Sequence, residues 1–564
     1  MIAAALLALL AATAPGAGAQ SSAVVSSLVD ESTVVVKGIR VERLNVFDPN
    51  VPGEDWWGFR IANQIHFTTR EEVVRREVLL SPGDRYSRLK SLESERNLRG
   101  LGFFRRADIR PVPRSDGGAD LLVRTQDSWT TNVNFGAGTE GGDTYLNYGA
   151  SEDNLLGYGK SIGVQHSQNG PRLRNEVRYN DPRLLGSRYR FTPYYARTNN
   201  GDSFGTAVVQ PFFSLETPGA MGVSWDRPMG ETWLYRDGEQ ISKFVQADRT
   251  VQAGIGARLA DRGRFVQRTE LGWYSQRTQF NALGADTAVG TLPEGRELSG
   301  PMFGYSWVDP AYIKETYINK MERVEDFNLG NELTLYGGFS GQALGGDRDR
   351  WLYNVIDQQG LYILPGRFAL AQVGLTGRVA NDKPENAILF ANANLFWKTS
   401  WLHPQTWVFH LEGNSGRNLD GENQVILGGD TGLRGYKNNS FTGSRSVLLN
   451  VEDRFFYPGE YFHLVRFGAA AFYDAGAVVP EHSGFSFERF HSDVGLGLRF
   501  SSTRSQSGDV VRMDFAYALN QGPGGSRFVV SLRGRQAFQI FNSTTRRVRQ
   551  SPSSQLAPIT SSAQ

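Results

Sequence analysis

A two-residue alternation of apolar and polar side chains runs from about residue 128 to about residue 541 and dominates the sequence. Turns rich in Gly, Asn, Asp and Pro interrupt it at intervals. One late segment has its apolar positions at Val494, Leu496, Leu498 and Phe500, separated by single polar or small residues. Because side chains alternate between the two faces of a β-strand, this period predicts consecutive strands with one apolar and one polar face.

Periodicity alone leaves open which face points inward. A soluble sandwich buries the apolar face, whereas a membrane barrel turns it to lipid and encloses the charges. The strand region is too long for one sandwich, and aromatic residues reach 12%. Arginine facing mid-membrane lipid costs about 2–4 kcal/mol, so the many arginines of the polar faces should point inward. The predicted fold is a transmembrane antiparallel β-barrel of about sixteen strands, at roughly 25 residues per strand and connection.

Charge and composition exclude several function classes. The 60 Lys and Arg against 58 Asp and Glu leave a net charge of +2, which gives no field for a nucleic-acid partner. With 7 His and no Cys, we expect no metal site and no cofactor. Ser203 lies in a Gly-x-Ser-x-Gly string without the strand and helix that expose a nucleophile, so we expect a hairpin there and no catalytic residue. Replacing Ser203 would test the remaining alternative, an outer-membrane hydrolase.

The chain divides into five predicted segments. Residues 1–19 have the features of a signal peptide that ends in small residues, which indicates export, and residues 20–36 form a flexible mature N-terminus. Residues 37–127 mix helical and strand periods in the order strand, helix, helix, strand, strand. The barrel occupies residues 128–541, and residues 542–564 form a disordered polar tail.

Three sequence motifs carry a resemblance to a known family. They are a loop with Leu433, Arg434, Gly435 and Tyr436, a strand with Phe472, Asp474 and Gly476, and a following strand with Arg499. This set resembles the outer-membrane barrel assembly superfamily, the BamA/TamA-like surface antigens. The resemblance implies that Arg434 inserts into the lumen and pairs with Asp474. From the residues alone, Arg434 could instead be a solvated loop residue, with Asp474 and Arg499 as unrelated lumen-lining charges. Glu452 and Arg454 share a strand face and are predicted to form a lumen pair near the loop.

The resemblance extends to the rest of the architecture. Residues 37–127 are similar to a single polypeptide-transport-associated (POTRA) domain, whose element order matches. Five strands are predicted after Tyr436, and in a sixteen-stranded barrel of this family the motif loop precedes the twelfth strand. The chain departs from the family in having room for one such module and in carrying a polar tail after its last strand.

The resemblance implies a non-enzymatic factor of the bacterial outer membrane with its N-terminal domain in the periplasm. It would assemble, insert or translocate proteins by capturing client strands at a POTRA strand edge and by opening a seam between the first and last barrel strands. Glycine weakens such a seam, which would involve Gly136, Gly138, Gly534 and Phe538. Expected partners are the lipid bilayer, unfolded outer-membrane or secreted polypeptides, and periplasmic chaperones or lipoproteins. The alternative is a two-partner-type secretion pore that exports an extended polypeptide, whereas a passive porin would not need residues 37–127.

Overall fold

The computed structural model describes residues 34–534 except for 141–142, 171, 260–264, 284–291, 401–403, 507, 509, 524 and 526. The predicted signal peptide, most of the flexible N-terminus, Phe538 and the predicted tail therefore lie outside the described residues. Within those residues, no helix is both long and apolar enough to cross a bilayer.

An α/β module precedes the barrel. Its elements are β1 (Val36–Leu44), α1 (Trp57–Ile65), α2 (Glu71–Glu77), α3 (Arg88–Gly100), β2 (Phe104–Pro113) and β3 (Ala119–Asp127). The sheet has the order β1-β3-β2, with β1 parallel and β2 antiparallel to β3. Helix α3 begins after Ser87, whose hydroxyl accepts from the Lys90 amide. Helices α2 and α3 pack on the sheet through Val74, Leu98, Leu121 and Val123. Helix α1 is an addition to the predicted order.

The rest of the described chain is almost entirely β. The segments are β4 (Thr131–Glu140), β5 (Asp143–Glu152), β6 (Ser161–Asn169), β7 (Arg172–Asn180), β8 (Arg190–Phe191), β9 (Tyr194–Thr198), β10 (Gly201–Gln210), β11 (Gly219–Arg227), β12 (Met229–Arg236), β13 (Glu239–Arg258), β14 (Val266–Ala282), β15 (Arg296–Val308), β16 (Tyr312–Glu315), β17 (Glu325–Asn328), β18 (Asn331–Ser340), β19 (Arg350–Leu364), β20 (Arg367–Ala380), β21 (Lys383–Thr399), β22 (Gln405–Arg417), β23 (Val425–Leu427), β24 (Phe441–Gly443), β25 (Arg445–Tyr461), β26 (Val465–Val479), β27 (His491–Ser502), β28 (Val510–Ala518) and β29 (Phe528–Gly534).

These segments close into one antiparallel barrel in which β29 neighbours β4. Segments β8 and β9 act as one interrupted strand, as do β11 and β12, because each pair shares its partner strands. The pairs β16–β17 and β23–β24 form separate hairpins. Within the described residues the barrel therefore has twenty strands, four more than the predicted number. Tight turns such as the one at Asp237 and Gly238 make the average strand and connection shorter than the roughly 25 residues assumed.

The two faces of the barrel wall have the predicted inverted polarity. Outward side chains are apolar and exposed, among them Val223, Trp225, Leu271, Trp273, Phe303, Leu496 and Phe515. Most inward side chains are polar, except where apolar ones meet the elements inside the barrel, and Arg350, Arg454 and Arg499 are the largest fully buried side chains among the described residues. This distribution matches a wall with lipid outside and polar groups inside.

The module meets the barrel at the end where β4 begins, which we call the module end. The Thr69 amide and hydroxyl donate to Asp127 Oδ2 at 2.7 and 3.0 Å, and Asn154 Nδ2 donates to the Thr69 hydroxyl at 2.8 Å. The Arg70 amide donates to the Gly157 carbonyl at 2.9 Å. Burial raises the pKa of Asp127 to about 7, against the opposing effect of the Thr69 hydrogen bonds.

We expect the module to lose stability as the pH rises from about 4 to about 7. The unfolded Asp127 titrates near pH 3.9, so over this interval the folded state binds the extra proton, and the loss reaches about 4 kcal/mol. Urea unfolding of the full chain, followed by a fluorophore on Asp116→Cys, measures this slope. Asp127→Asn should flatten it, and an unchanged slope in Asp127→Asn would contradict the assignment.

Candidate functional site

The motif loop between β22 and β25 folds into the barrel. Gly432 takes φ +120°, a conformation that glycine adopts readily. A Cβ on Gly435 would lie 2.5 Å from the Asp493 Cβ, so only glycine allows this close approach to the wall. Leu433 and Tyr436 are buried against Leu427, Leu448 and Ala518. The loop is thereby packed against the inner wall.

The Arg434 guanidinium is held by two carboxylates. Its Nε and Nη2 donate to the two oxygens of Asp474 at 2.8 and 2.9 Å. Its Nη1 donates to Glu452 Oε2 at 2.6 Å. The guanidinium carbon also lies 3.4 Å from the centre of the Phe472 ring. The structure thus places Arg434 beside Asp474 and 3% exposed, not in a solvated loop.

Further charges extend this contact into a network, which we call the lumen cluster: Arg434, Glu452, Arg454, Asp474, Arg499, Arg512 and Asp514. Arg454 Nε lies 2.9 Å from Glu452 Oε1, and Arg499 Nη2 lies 3.5 Å from the same oxygen. Asp514 joins Arg499 at 2.6 Å and Arg512 at 2.7 Å. Arg512 and Asp514 were not among the predicted site residues, although the alternation of strand β28 places both on its inward polar face.

The remaining predicted residues have different positions. A Cβ on Gly476 would lie 3.0 Å from Leu427 Cδ1, so this glycine makes room for the motif loop. Gly136 and Gly138 belong to β4, where they pair with Asn147 and Tyr145 of β5. Gly534 ends β29 opposite Val511. The predicted seam therefore involves strands that are neighbours, and Phe538 lies outside the described residues.

A second element enters the barrel from the module end and was not predicted. Residues 309–330, which we call the internal hairpin, connect β15 to β18 and contain β16 and β17. Ile318 is fully buried, and the apolar cluster around it contains Phe327, Leu329, Phe368, Leu370, Phe396 and Val408. Arg454 Nη1 donates to the Ile318 carbonyl at 2.8 Å, and the Thr406 hydroxyl donates to the Tyr317 carbonyl at 2.7 Å. The internal hairpin therefore reaches the lumen cluster.

The internal hairpin also binds the module. Arg99 of α3 makes a bidentate contact with Asp326 at 2.7 and 2.8 Å. Glu95 of α3 pairs with Lys314. A continuous series of contacts thus runs from α3 through the internal hairpin to Arg454, and from there through Glu452 to Arg434.

The structure offers no arrangement for a serine nucleophile at Ser203. The residue lies in β10, fully buried, and its hydroxyl accepts from the Met229 amide at 2.9 Å and donates to the Met229 carbonyl at 3.1 Å. Among the described residues, no group of three or more His, Asp and Glu side chains is arranged to hold a metal ion.

Comparison with known proteins identifies relatives of part of the chain. No family model matches. The chain is 28% identical over 162 residues to a protein of Treponema pallidum described as an outer membrane protein assembly factor, a match that covers 26% of this chain and 19% of that protein. It is 30% identical over 128 residues to the outer membrane protein assembly factor BamA of Neisseria meningitidis, covering 22% of this chain and 16% of the relative. The chain thus spans less than a fifth of either curated relative.

Solved structures to which the chain is similar include BamA of Haemophilus ducreyi lacking POTRA domains 1–3, at 14% identity and a TM-score of 0.34 over 89% of this chain and 85% of that one. CdiB of Acinetobacter baumannii is 12% identical, with a TM-score of 0.44 over 88% and 73%. The two curated relatives and the motif residues of the sequence agree. Both support the resemblance of this chain to the outer-membrane barrel assembly superfamily, and its location is the bacterial outer membrane.

Proposed function

We propose that this protein is a non-enzymatic factor that assembles or inserts polypeptides into the outer membrane through a lateral opening of the barrel wall. The observation that carries the proposal is the occupied lumen. The motif loop and the internal hairpin enter the barrel from opposite ends and are joined through the wall pair of Glu452, which Arg434 binds, and Arg454, which binds the Ile318 carbonyl. A client would then use the wall, where a strand edge can satisfy backbone groups that lipid leaves unpaired.

Client capture begins, in this proposal, at strand β1 of the module. The other edge strand, β2, offers little to a client, because α3 side chains already bind the Ala107 carbonyl and the Ile109 amide. Pro111 and Pro113 further along β2 have no amide hydrogen to donate. On β1, Arg75 already binds the Ile39 carbonyl, so the edge proposed for a client lies at Val41 and Arg43, whose backbone groups alternate in phase with Ile39 and face away from β3.

Val41→Pro should weaken client capture, because it removes an amide donor from the β1 edge. Val41→Ala is the matched control, since it trims the same side chain and keeps the donor. We expect cross-linking of a photoreactive client peptide to fall by about tenfold in Val41→Pro and to stay near the parent value in Val41→Ala. Equal loss in both variants would contradict capture at this edge.

The proposed exit is the seam between β4 and β29. Glycines at 136 and 138 provide no side chains to pack across the seam from β4. A ladder with few packed side chains separates more easily than its neighbours.

Locking this seam should abolish assembly and leave the barrel folded. The chain has no Cys, so introduced pairs are unambiguous. Val133→Cys is combined in turn with a cysteine at each position from 529 to 532, and client insertion is measured before and after reduction. A pair between β14 and β15, at Ser275 and Ser299, which lie in register, is the control. Full activity of an oxidised seam pair would exclude lateral opening.

Chaperones or lipoproteins that deliver clients to the module are part of the proposal, as is the periplasmic location of the module.

The second candidate, a two-partner-type secretion pore, requires a clear lumen. Because the motif loop and the internal hairpin both lie in the lumen, such a pore would first have to displace them.

A further inference from the structure

Helix α1 carries an apolar surface that neither the module nor the barrel covers. Residues at helical spacing form a stripe of Trp57, Ile61 and Ile65, which are 60%, 47% and 64% exposed. Trp56 and Phe67 extend the stripe at either end and are also exposed. No residue of α1 is buried. A stripe of this kind on a small module needs an occupant.

The position of α1 is fixed by contacts with the barrel. Arg504, just beyond β27, binds Glu54 at 2.7 Å, and its guanidinium lies over the Phe47 ring at 5.2 Å. The Phe47 ring stacks on Phe59 of α1 at 4.1 Å, and Phe59 meets His463 of the β25–β26 turn at 6.4 Å. Helix α1 is thus attached to the rim of the barrel at the module end.

The barrel wall beside this attachment carries an aromatic belt. Tyr457, Tyr461, Phe467 and Phe500 follow one another with ring centres 5.8, 5.0 and 5.5 Å apart. The first three are exposed on the lipid-facing side, and Phe462 at the turn is 84% exposed. Aromatic side chains concentrate where a bilayer meets water, so this belt marks the interface.

We propose that α1 lies in the headgroup region of the leaflet on the module side and anchors the module to the membrane. The helix that carries the apolar stripe is attached, through Phe59 and His463, at the turn beside the aromatic belt, which is already a lipid-contacting surface. Tryptophan at the start of the helix and Arg60 on its exposed side suit the boundary between acyl chains and phosphates. The occupant is lipid, and its contact fixes the tilt of the module above the barrel mouth.

A single introduced cysteine tests this in the full chain. Ile61→Cys is labelled with an environment-sensitive fluorophore and reconstituted in vesicles of phosphatidylethanolamine and phosphatidylglycerol. Asp116→Cys, in the exposed turn that joins β2 to β3 at the end of β3 away from the barrel, is the matched control. Lipids with a nitroxide at a shallow acyl position and a water-soluble quencher are added separately. Gel mobility of unheated samples verifies that both barrels are folded.

We expect the nitroxide lipid to reduce Ile61→Cys fluorescence by about twofold and to leave Asp116→Cys fluorescence unchanged. The water-soluble quencher should reduce the fluorescence of Asp116→Cys and leave that of Ile61→Cys unchanged. Equal access of the soluble quencher to both positions would show that the stripe faces water and would overturn the proposal. Protection of Ile61→Cys from both quenchers would show a second copy on the stripe and would overturn it too. Client insertion is not part of the readout, so the result is independent of the proposed function.

Discussion

Arg434→Ala is expected to destabilise the barrel by about 3–5 kcal/mol, because it leaves two carboxylates buried without their shared partner. Asp474 and Glu452 are both fully buried and both lie within 2.9 Å of the Arg434 guanidinium. The same variant should lose client insertion, since the motif loop would no longer be fixed in the lumen. Urea unfolding in detergent micelles, followed by tryptophan fluorescence, measures the stability.

Two further variants separate this effect from the loss of any arginine. Arg417→Ala removes an exposed arginine at the end of β22 and should change stability by less than about 0.5 kcal/mol. Combining Arg434→Ala with Asp474→Asn neutralises the carboxylate that loses its bidentate partner and should recover part of the loss, whereas Glu452 keeps Arg454 and Arg499. If Arg434→Ala matched Arg417→Ala, the lumen cluster would not be an energetic unit.

Removing the motif loop and the internal hairpin together should raise single-channel conductance by at least about tenfold, because a barrel of this size encloses a wide lumen once it is emptied. Short glycine-serine turns replace residues 311–329 and 429–436. Each deletion alone should give a smaller rise, since the other element still covers the lumen. Conductance of the double deletion equal to that of the parent would show that the two elements do not obstruct the barrel.

A charge exchange gives a milder test of the internal hairpin. Asp326→Arg places two like charges at the contact with Arg99 and should free the hairpin, which raises conductance. Adding Arg99→Glu restores an opposite pair and should return the conductance to the parent value. Failure of the double variant to restore it would mean that the α3 contact does not hold the hairpin.

Alternation and turn residues were sufficient to predict consecutive strands, including the five after Tyr436. These features depend on contacts between strands that are neighbours along the chain, and such strands can be recognised from the residue pattern of each segment. The inverted polarity of the wall followed from the length of the strand region, its aromatic content and the cost of arginine in lipid. The placement of Arg434 beside Asp474 came from the motif resemblance, since spacing alone left a solvated arginine open. Arg512 and Asp514 were readable in principle as inward positions of β28.

Other features depend on contacts that local pattern does not contain. Helix α1 was not predicted because none of its residues is buried in the module core. Its apolar stripe faces away from the core, whereas the apolar stripe of a helix in a small domain usually packs on the core. The internal hairpin was missed because Ile318 packs on Phe368, Phe396 and Val408, about 50 to 90 positions away. Its four-residue strands are too short to distinguish from an ordinary loop.

The strand number has a geometric consequence. Barrel diameter grows roughly in proportion to strand number, so twenty strands enclose a cross-section about 1.6 times that of sixteen. All four supernumerary strands precede the motif loop, and the internal hairpin joins two strands of that same half. The wider bore gives the barrel room for the internal hairpin in addition to the motif loop.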